Sequence, residues 1–168
     1  MDDRFDYDGD FLVWTERQAN ALRTLARARA DLPNELDLEH VAEEIEDMGR
    51  AELNAVRSQL GNILAHLIKL ASSPESLPAR HWRTEVVIFH VALRRQLTPA
   101  MRRRLEIDEV WSQSLRIATA ELAEFDEAPL ACLAGFCPFA VEELTAAEID
   151  PDMLIARLRD RAEPAPNG

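Results

Sequence analysis

Apolar side chains recur every three or four residues along most of this chain, which is the pattern of amphipathic helices. It predicts a first helix from about Asp10 to Ala30 and a second, long helix from about Leu38 to Ala71. Asp37 is the expected N-cap of the second helix, because its carboxylate can accept a hydrogen bond from a backbone N–H of the first turn. No stretch alternates with period two for long enough to predict a strand.

The same spacing continues through the C-terminal half of the chain. A third helix is predicted from Pro78 or Ala79 to about Leu97. Thr98-Pro99 then has the order of an N-cap followed by proline at the first helical position, so a fourth helix is expected to start there and to run to about Phe125. Two short helices are predicted after it, near Phe139 to Leu144 and, after the cap-and-proline pair Asp150-Pro151, as far as Arg159.

Four main amphipathic helices joined by short connections predict an all-α fold, an antiparallel four-helix bundle with a short irregular and helical C-terminal extension. A chain of 168 residues has room for one sizeable core, so we expect a single domain over residues 1–168. Its ordered core is predicted at about 5–160, with loose tails at 1–4 and 163–168.

Polar side chains interrupt the apolar stripe of the second helix. At about 100° per residue, one helix face carries Val41, Ile45, Met48, Val56, Ile63 and Leu70. Glu52, Gln59 and His66 fall on that same face at intervals of seven residues. A buried polar group needs a partner. The pattern therefore predicts either a structural network that sets helix register, or a ligand-binding pocket that His90 of the third helix would join.

The same residues do not form a catalytic or metal-binding constellation. Glu52 and His66 are separated by about 21 Å of helix, so they cannot share one ion. Cys132 and Cys137 lack zinc-site spacing and are interpreted as buried thiols in a reducing cytoplasm. We therefore predict no catalytic residue, no metal and no cofactor, although a small-molecule-binding or enzymatic bundle that uses the polar pocket stays an alternative.

The third helix carries aliphatic side chains around most of its circumference. Val87, Ile88 and Val91 lie outside its main apolar face. Such a helix is either central in the core or covered by a partner. The leading hypothesis is therefore a non-enzymatic helical protein that acts through protein–protein contacts or self-association, with these three residues at the interface.

The charge balance narrows the choice of other partners. A net charge of −12 repels phosphate backbones, so nucleic acid is not the expected partner. Arg102 to Arg104, close to Arg94 and Arg95, keep a nucleic-acid-associated regulator as a further alternative. No apolar run approaches the roughly 18 residues that cross a bilayer, and the first residues lack the pattern of a signal peptide. We expect no membrane association and a cytoplasmic location.

A series of short motifs occurs in a characteristic order. The motifs are Asp10-Phe11, Trp14, Leu36-Asp37-Leu38, Glu43-Glu44-Ile45-Glu46-Asp47-Met48-Gly49, Ser58-x-Leu60, Leu64-x-His66-Leu67, Lys69, Trp82 and Cys137-Pro138. In this order the sequence, from about Phe5 to Ile149, resembles the bacterial family catalogued as domain of unknown function twenty-nine. The resemblance implies an all-helical fold and carries no established activity.

Overall fold

A computed structural model describes residues 6–29, 33, 35–133 and 135–161. Its α-helices are α1 (Asp6–Gly9), α2 (Phe11–Ala28), α3 (Leu38–Ser72), α4 (Ala79–Gln96), α5 (Pro99–Arg103), α6 (Ile107–Ala123), α7 (Val141–Leu144) and α8 (Pro151–Asp160). A single 3₁₀ turn spans Ala131–Leu133, and the described residues contain no strand. The all-α prediction is confirmed. The predicted loose tails lie outside the described residues.

The capping residues named from sequence begin the helices as predicted. Asp37 accepts a hydrogen bond from the His40 backbone N–H at 3.1 Å, and Thr98 accepts one from the Met101 N–H at 3.2 Å. Asp150 accepts from two N–H groups at the start of α8. Each carboxylate or hydroxyl satisfies donors that have no partner inside their own helix, which is why these boundaries could be predicted locally.

The predicted fourth helix is wrong as one continuous element. The chain leaves helical geometry at Arg104 and resumes at Ile107, so α5 and α6 are separate. Leu105 and Val110 are both buried, although five positions separate them. In an unbroken helix the face of Leu105 would continue to Asp108 and Glu109 instead. Because the helix breaks after Arg103, α6 starts with a different helix face toward the core, and both carboxylates stay at the surface.

The chain divides into two compact units, one of Met1–Val56 with Leu97–Arg104 and the other of Arg57–Gln96 with Leu105–Gly168. In the first unit, the Asp10 carboxylate accepts from the N–H of Val13 at the start of α2 and from the N–H of Ala100 in α5. The predictions of one domain and of an antiparallel four-helix bundle stay predictions.

Close contact with α2 determines which face of α3 is buried in the first unit. The buried positions are Leu38, Ala42, Gly49, Leu53 and Val56, whereas Val41 and Met48 are exposed. The predicted phase is therefore wrong before Leu53, whereas Val56 is buried as predicted. Because Ala42 and Gly49 are small, the apolar pattern gave more weight to their larger neighbours. Small residues let two helix backbones approach closely, and that approach defines the buried face here.

The second unit is built around the C-terminal half of α3. All residues from Ile63 to Ala71 except His66 are buried, so this segment is covered around most of its circumference. Arg159 of α8 donates to the backbone carbonyls of Leu70 and Ala71, at 3.0 and 3.1 Å. Carbonyl groups in the last turn of a helix lack intrahelical partners. The C-terminal helix therefore completes the end of α3.

Within the part of the chain that the structure describes, no helix combines the length and the apolar character needed to cross a membrane.

Two glycines of α3 provide a matched test of the close approach between α2 and α3. A Cβ added at Gly49 would overlap the Thr15 hydroxyl and lie 3.3 Å from Leu12 Cδ1, whereas one at Gly61 would meet Ser114 Oγ at an ordinary 3.6 Å. Alanine improves helix propensity by about 1 kcal/mol at either site. We expect Gly61→Ala to leave the free energy of unfolding unchanged or raised, and Gly49→Ala to lower it by roughly 1–2 kcal/mol through overpacking.

Urea denaturation followed by circular dichroism measures both variants. The added variant Thr15→Ala should recover part of the loss in a Gly49→Ala background, because it removes the overlapping hydroxyl. Equal stability of the two glycine variants would contradict the close approach.

Candidate functional site

The four residues predicted to line a pocket differ in their exposure and in their hydrogen-bond partners. Glu52 is exposed on α3, so the expectation that it faces the interior is wrong, for the same reason as Val41 and Met48. Gln59 is half-buried, and its side-chain oxygen is buried with no hydrogen-bond partner among the described residues. His66 and His90 have separate surroundings. Whether any of them binds a ligand stays a prediction.

His66 lies on the side of α3 that packs against α4. Its Nδ1–H donates to the Asn62 carbonyl at 2.7 Å, one turn earlier in the helix, and its ring centroid lies 5.6 Å from that of Phe89. Burial lowers the pKa of His66 below its ordinary value, and the nearby Lys69 charge lowers it further. The imidazole is therefore neutral at pH 7, with Nε2 as the unprotonated nitrogen.

Lys69, one turn beyond His66, is the charged centre of this region. Its side chain is only 3% exposed, its ammonium forms an ion pair with Glu121 of α6, and its Nζ lies 4.7 Å from the centroid of the Trp82 ring. The carboxylate and the aromatic face both stabilise a cation that has lost most of its water. The spacing of residues along the chain does not predict this cluster, because Glu121 and Trp82 reach Lys69 from different helices.

His90 lies on a different side of α4 from Phe89. Its Nε2–H donates to the Ala146 carbonyl at 3.1 Å, and Arg94 donates to the Thr145 carbonyl at 3.0 Å. Burial lowers the pKa of His90 as well. Because both donors bind backbone carbonyls of the segment after α7, His90 holds the C-terminal segment against α4 and does not share surroundings with His66.

A surface cavity of about 260 Å³ lies in the C-terminal segment. It is lined by Glu143, Ala146, Glu148, Ile149, Asp150, Met153 and Leu154. Glu143 pairs with Arg157, and Asp150 caps α8, so two of its three carboxylates already have partners. None of the four predicted site residues lines this cavity.

Cys137 is half-buried, and burial raises its pKa to about 11. At neutral pH it is a protonated thiol, which agrees with the interpretation of a buried, unreactive cysteine. The side chain of Cys132 lies outside the described residues. Among the residues that the structure describes, no group of three or more His, Cys, Asp or Glu side chains could hold a metal ion.

The solvent-facing side of α4 carries the aliphatic residues singled out from sequence. Val87, Ile88 and Val91 are 47, 52 and 44% exposed, and Leu77, in the turn before the helix, is 97% exposed. The opposite side of α4 is in the core through Trp82, Val86 and Leu93. The three aliphatic residues lie outside the main apolar face of the helix, as the spacing predicted, and their role at an interface stays a prediction. Leu77 was not singled out, because it precedes the helical repeat.

The Lys69 ion pair predicts an asymmetric response to its two neutral variants. Glu121→Gln leaves a buried ammonium without its counter-charge and should lower the free energy of unfolding by about 2–3 kcal/mol. Lys69→Met should cost less, because methionine fills similar space and the half-exposed Glu121 regains water. Guanidinium denaturation measures both, with exposed Glu124→Gln as the matched control. Equal effects of Glu121→Gln and Glu124→Gln would contradict the assignment.

His66 and His90 predict a loss of stability as the pH falls from 7 to 5. Their pKa values are lowered in the folded state, so below about pH 6.5 the unfolded chain binds more protons and folding becomes less favourable. The pKa of exposed His40 is raised by Asp37, which acts in the opposite direction. We expect the double variant His66→Gln, His90→Gln to show a smaller stability difference between pH 7 and pH 5 than the wild type. An unchanged difference in urea denaturation would contradict this origin.

Comparison with known proteins places the chain among helical proteins without an assigned activity. A crystal structure of an α-helical protein of unknown function from Rhodospirillum rubrum is 40% identical in sequence and has a TM-score of 0.85. The alignment covers 93% of this chain and 99% of that one. No curated protein sequence matches. The family model described as domain of unknown function DUF29 matches residues 7–149, which is most of the chain. The resemblance seen in the sequence motifs is thereby confirmed, and the chain belongs to the DUF29 family.

Proposed function

We propose that the protein is a protein-binding module and that the solvent-facing side of α4 is its docking surface. This surface consists of Thr84, Val87, Ile88 and Val91. The single observation that carries the proposal is the exposure of three aliphatic side chains on one face of a helix whose other faces are already packed. Contiguous apolar surface of this kind is typical of interaction sites, whereas single exposed aliphatic residues are ordinary.

The spacing of the docking surface fits a helix as the partner. Within α4, Thr84 and Val91 are seven residues apart, and Val87 and Ile88 lie between them, three and four positions after Thr84. Residues at intervals of seven, with others three or four positions away, form the seam along which two helices pack side by side. The spacing therefore supports a partner that presents an amphipathic helix of its own.

Contacts with the C-terminal segment on one side of α4 fix the rotation of this helix about its axis. Arg83 pairs with Asp152 of α8 at 2.9 Å, while His90 and Arg94 bind the carbonyls of Ala146 and Thr145. These contacts oppose rotation of the helix about its axis, which would be needed to bury Val87 and Val91 within the same chain. A second molecule can cover the docking surface without breaking them.

A small-molecule site receives less support from the contacts. Lys69 is already satisfied by Glu121 and Trp82, and His66 and His90 bind backbone carbonyls in different surroundings. A ligand that used these groups would have to displace existing partners. Protein binding through α4 requires no such exchange.

A photo-crosslinking amino acid at Val91, compared with the same substitution at Ile117 of α6, tests the proposal. The two native side chains are similarly exposed, at 44 and 45%. In cells that naturally produce the protein, we expect a discrete adduct from position 91 and none from position 117. The adduct should be identified by mass spectrometry and the complex rebuilt from purified components.

In the rebuilt complex, Ile88→Glu should weaken binding at least tenfold, because it places a charge in an apolar contact. Ile117→Glu is the matched control and should leave the affinity unchanged. Identical adducts from both positions, or a complex insensitive to Ile88→Glu, would contradict docking on α4.

A further inference from the structure

The charges that border the docking surface point to the class of its partner. We infer that it binds an acidic amphipathic helix of a different protein, whose carboxylates pair with Arg80 and Arg95; this inference rests on the proposed function. The two arginines lie at opposite ends of α4, fifteen residues or about 22 Å apart along the helix. They bracket the aliphatic residues between them.

Both arginines project from the same side of α4 as the docking surface. At about 100° per residue, Arg80, Val87 and Val91 lie within about 40° of one another, and Arg95 falls between Val91 and Ile88. Arg80 and Arg95 are exposed, and no carboxylate in the described part of the chain forms an ion pair with either. The other two arginines of α4 differ, because Arg83 pairs with Asp152 and Arg94 donates to a carbonyl.

A helix packed along the docking surface would come close to both guanidinium groups and remove part of their water. Desolvating a charge is unfavourable unless a partner replaces the lost hydrogen bonds. Glutamate or aspartate on the flanks of the partner helix would supply them, because a carboxylate binds a guanidinium through two parallel hydrogen bonds. The expected partner therefore has an apolar seam with carboxylates at positions facing Arg80 and Arg95.

A second copy of the same chain does not fit this arrangement. Pairing α4 with another α4 in antiparallel orientation places Arg80 of each helix near Arg95 of the other, and parallel pairing places each arginine beside its counterpart. Both orientations bring like charges together. Nucleic acid fits less well than an acidic helix, because phosphate contacts leave the aliphatic residues without a partner.

Two designed peptides test the inference. They share one helical sequence with leucine at the seam positions, and their flanking positions carry either glutamate or lysine. Fluorescence anisotropy at about 150 mM salt, where charges interact over about 8 Å, measures the affinity of each peptide for the full-length chain. We expect the glutamate peptide to bind roughly tenfold more tightly, as two surface ion pairs would provide.

Charge reversal then tests the two arginines. The double variant Arg80→Glu, Arg95→Glu should invert the preference so that the lysine peptide binds more tightly. Arg103→Glu, Arg116→Glu changes the net charge by the same amount at two other exposed arginines, and it should keep the wild-type preference. Circular dichroism of both double variants establishes that they fold.

The outcomes separate this inference from the proposed function. Equal affinity for both peptides, with binding lost in Ile88→Glu, would overturn the acidic partner and leave docking on α4 intact. Failure of both peptides while the Val91 adduct still forms would mean that the surface accepts another kind of partner, which also overturns the inference. A wild-type dimer in light scattering that Ile88→Glu dissociates would assign the surface to self-association instead.

Discussion

Burial of α3 from Ile63 to Ala71 is the constraint on which the second unit depends. A helix covered around most of its circumference must find an intramolecular partner for every polar group that it carries inward, because water no longer reaches them. Lys69 meets this requirement through Glu121 and Trp82. The carbonyls of Leu70 and Ala71 meet it through Arg159. The positions of α4, α6 and α8 follow in part from these needs.

The same requirement accounts for other hydrogen bonds of polar side chains in the second unit. His66 donates to a carbonyl of its own helix, and Ser114 of α6 donates to the Gly61 carbonyl at 3.0 Å. The Ser114 bond joins α6 to α3, whereas the His66 bond stays within α3. The aliphatic side of α4, by contrast, is exposed to solvent.

That surface combines exposed aliphatic side chains with arginines at both of its ends. Aliphatic residues at helical spacing gain stability when another apolar face covers them, and flanking arginines discriminate between partners by charge. On a chain with a net charge of −12, a locally basic and apolar helix face is distinct from its surroundings. The fold presents this face rigidly, because α4 is held against the C-terminal segment.

The amino-acid sequence by itself determined the helices and their caps. These depend on signals that act over a few neighbouring residues: an apolar repeat near 3.6 residues, and Asp or Thr at the N-cap, followed by proline after Thr98 and Asp150. The order of its short motifs also identified the family. The sequence also placed Val87, Ile88 and Val91 outside the main apolar face of α4. Only the tertiary structure decided which face of α3 is buried around Gly49, where the predicted fourth helix breaks, and that Lys69 meets Glu121. Those outcomes depend on close approach and charge pairing between residues far apart in the chain, which no local repeat encodes.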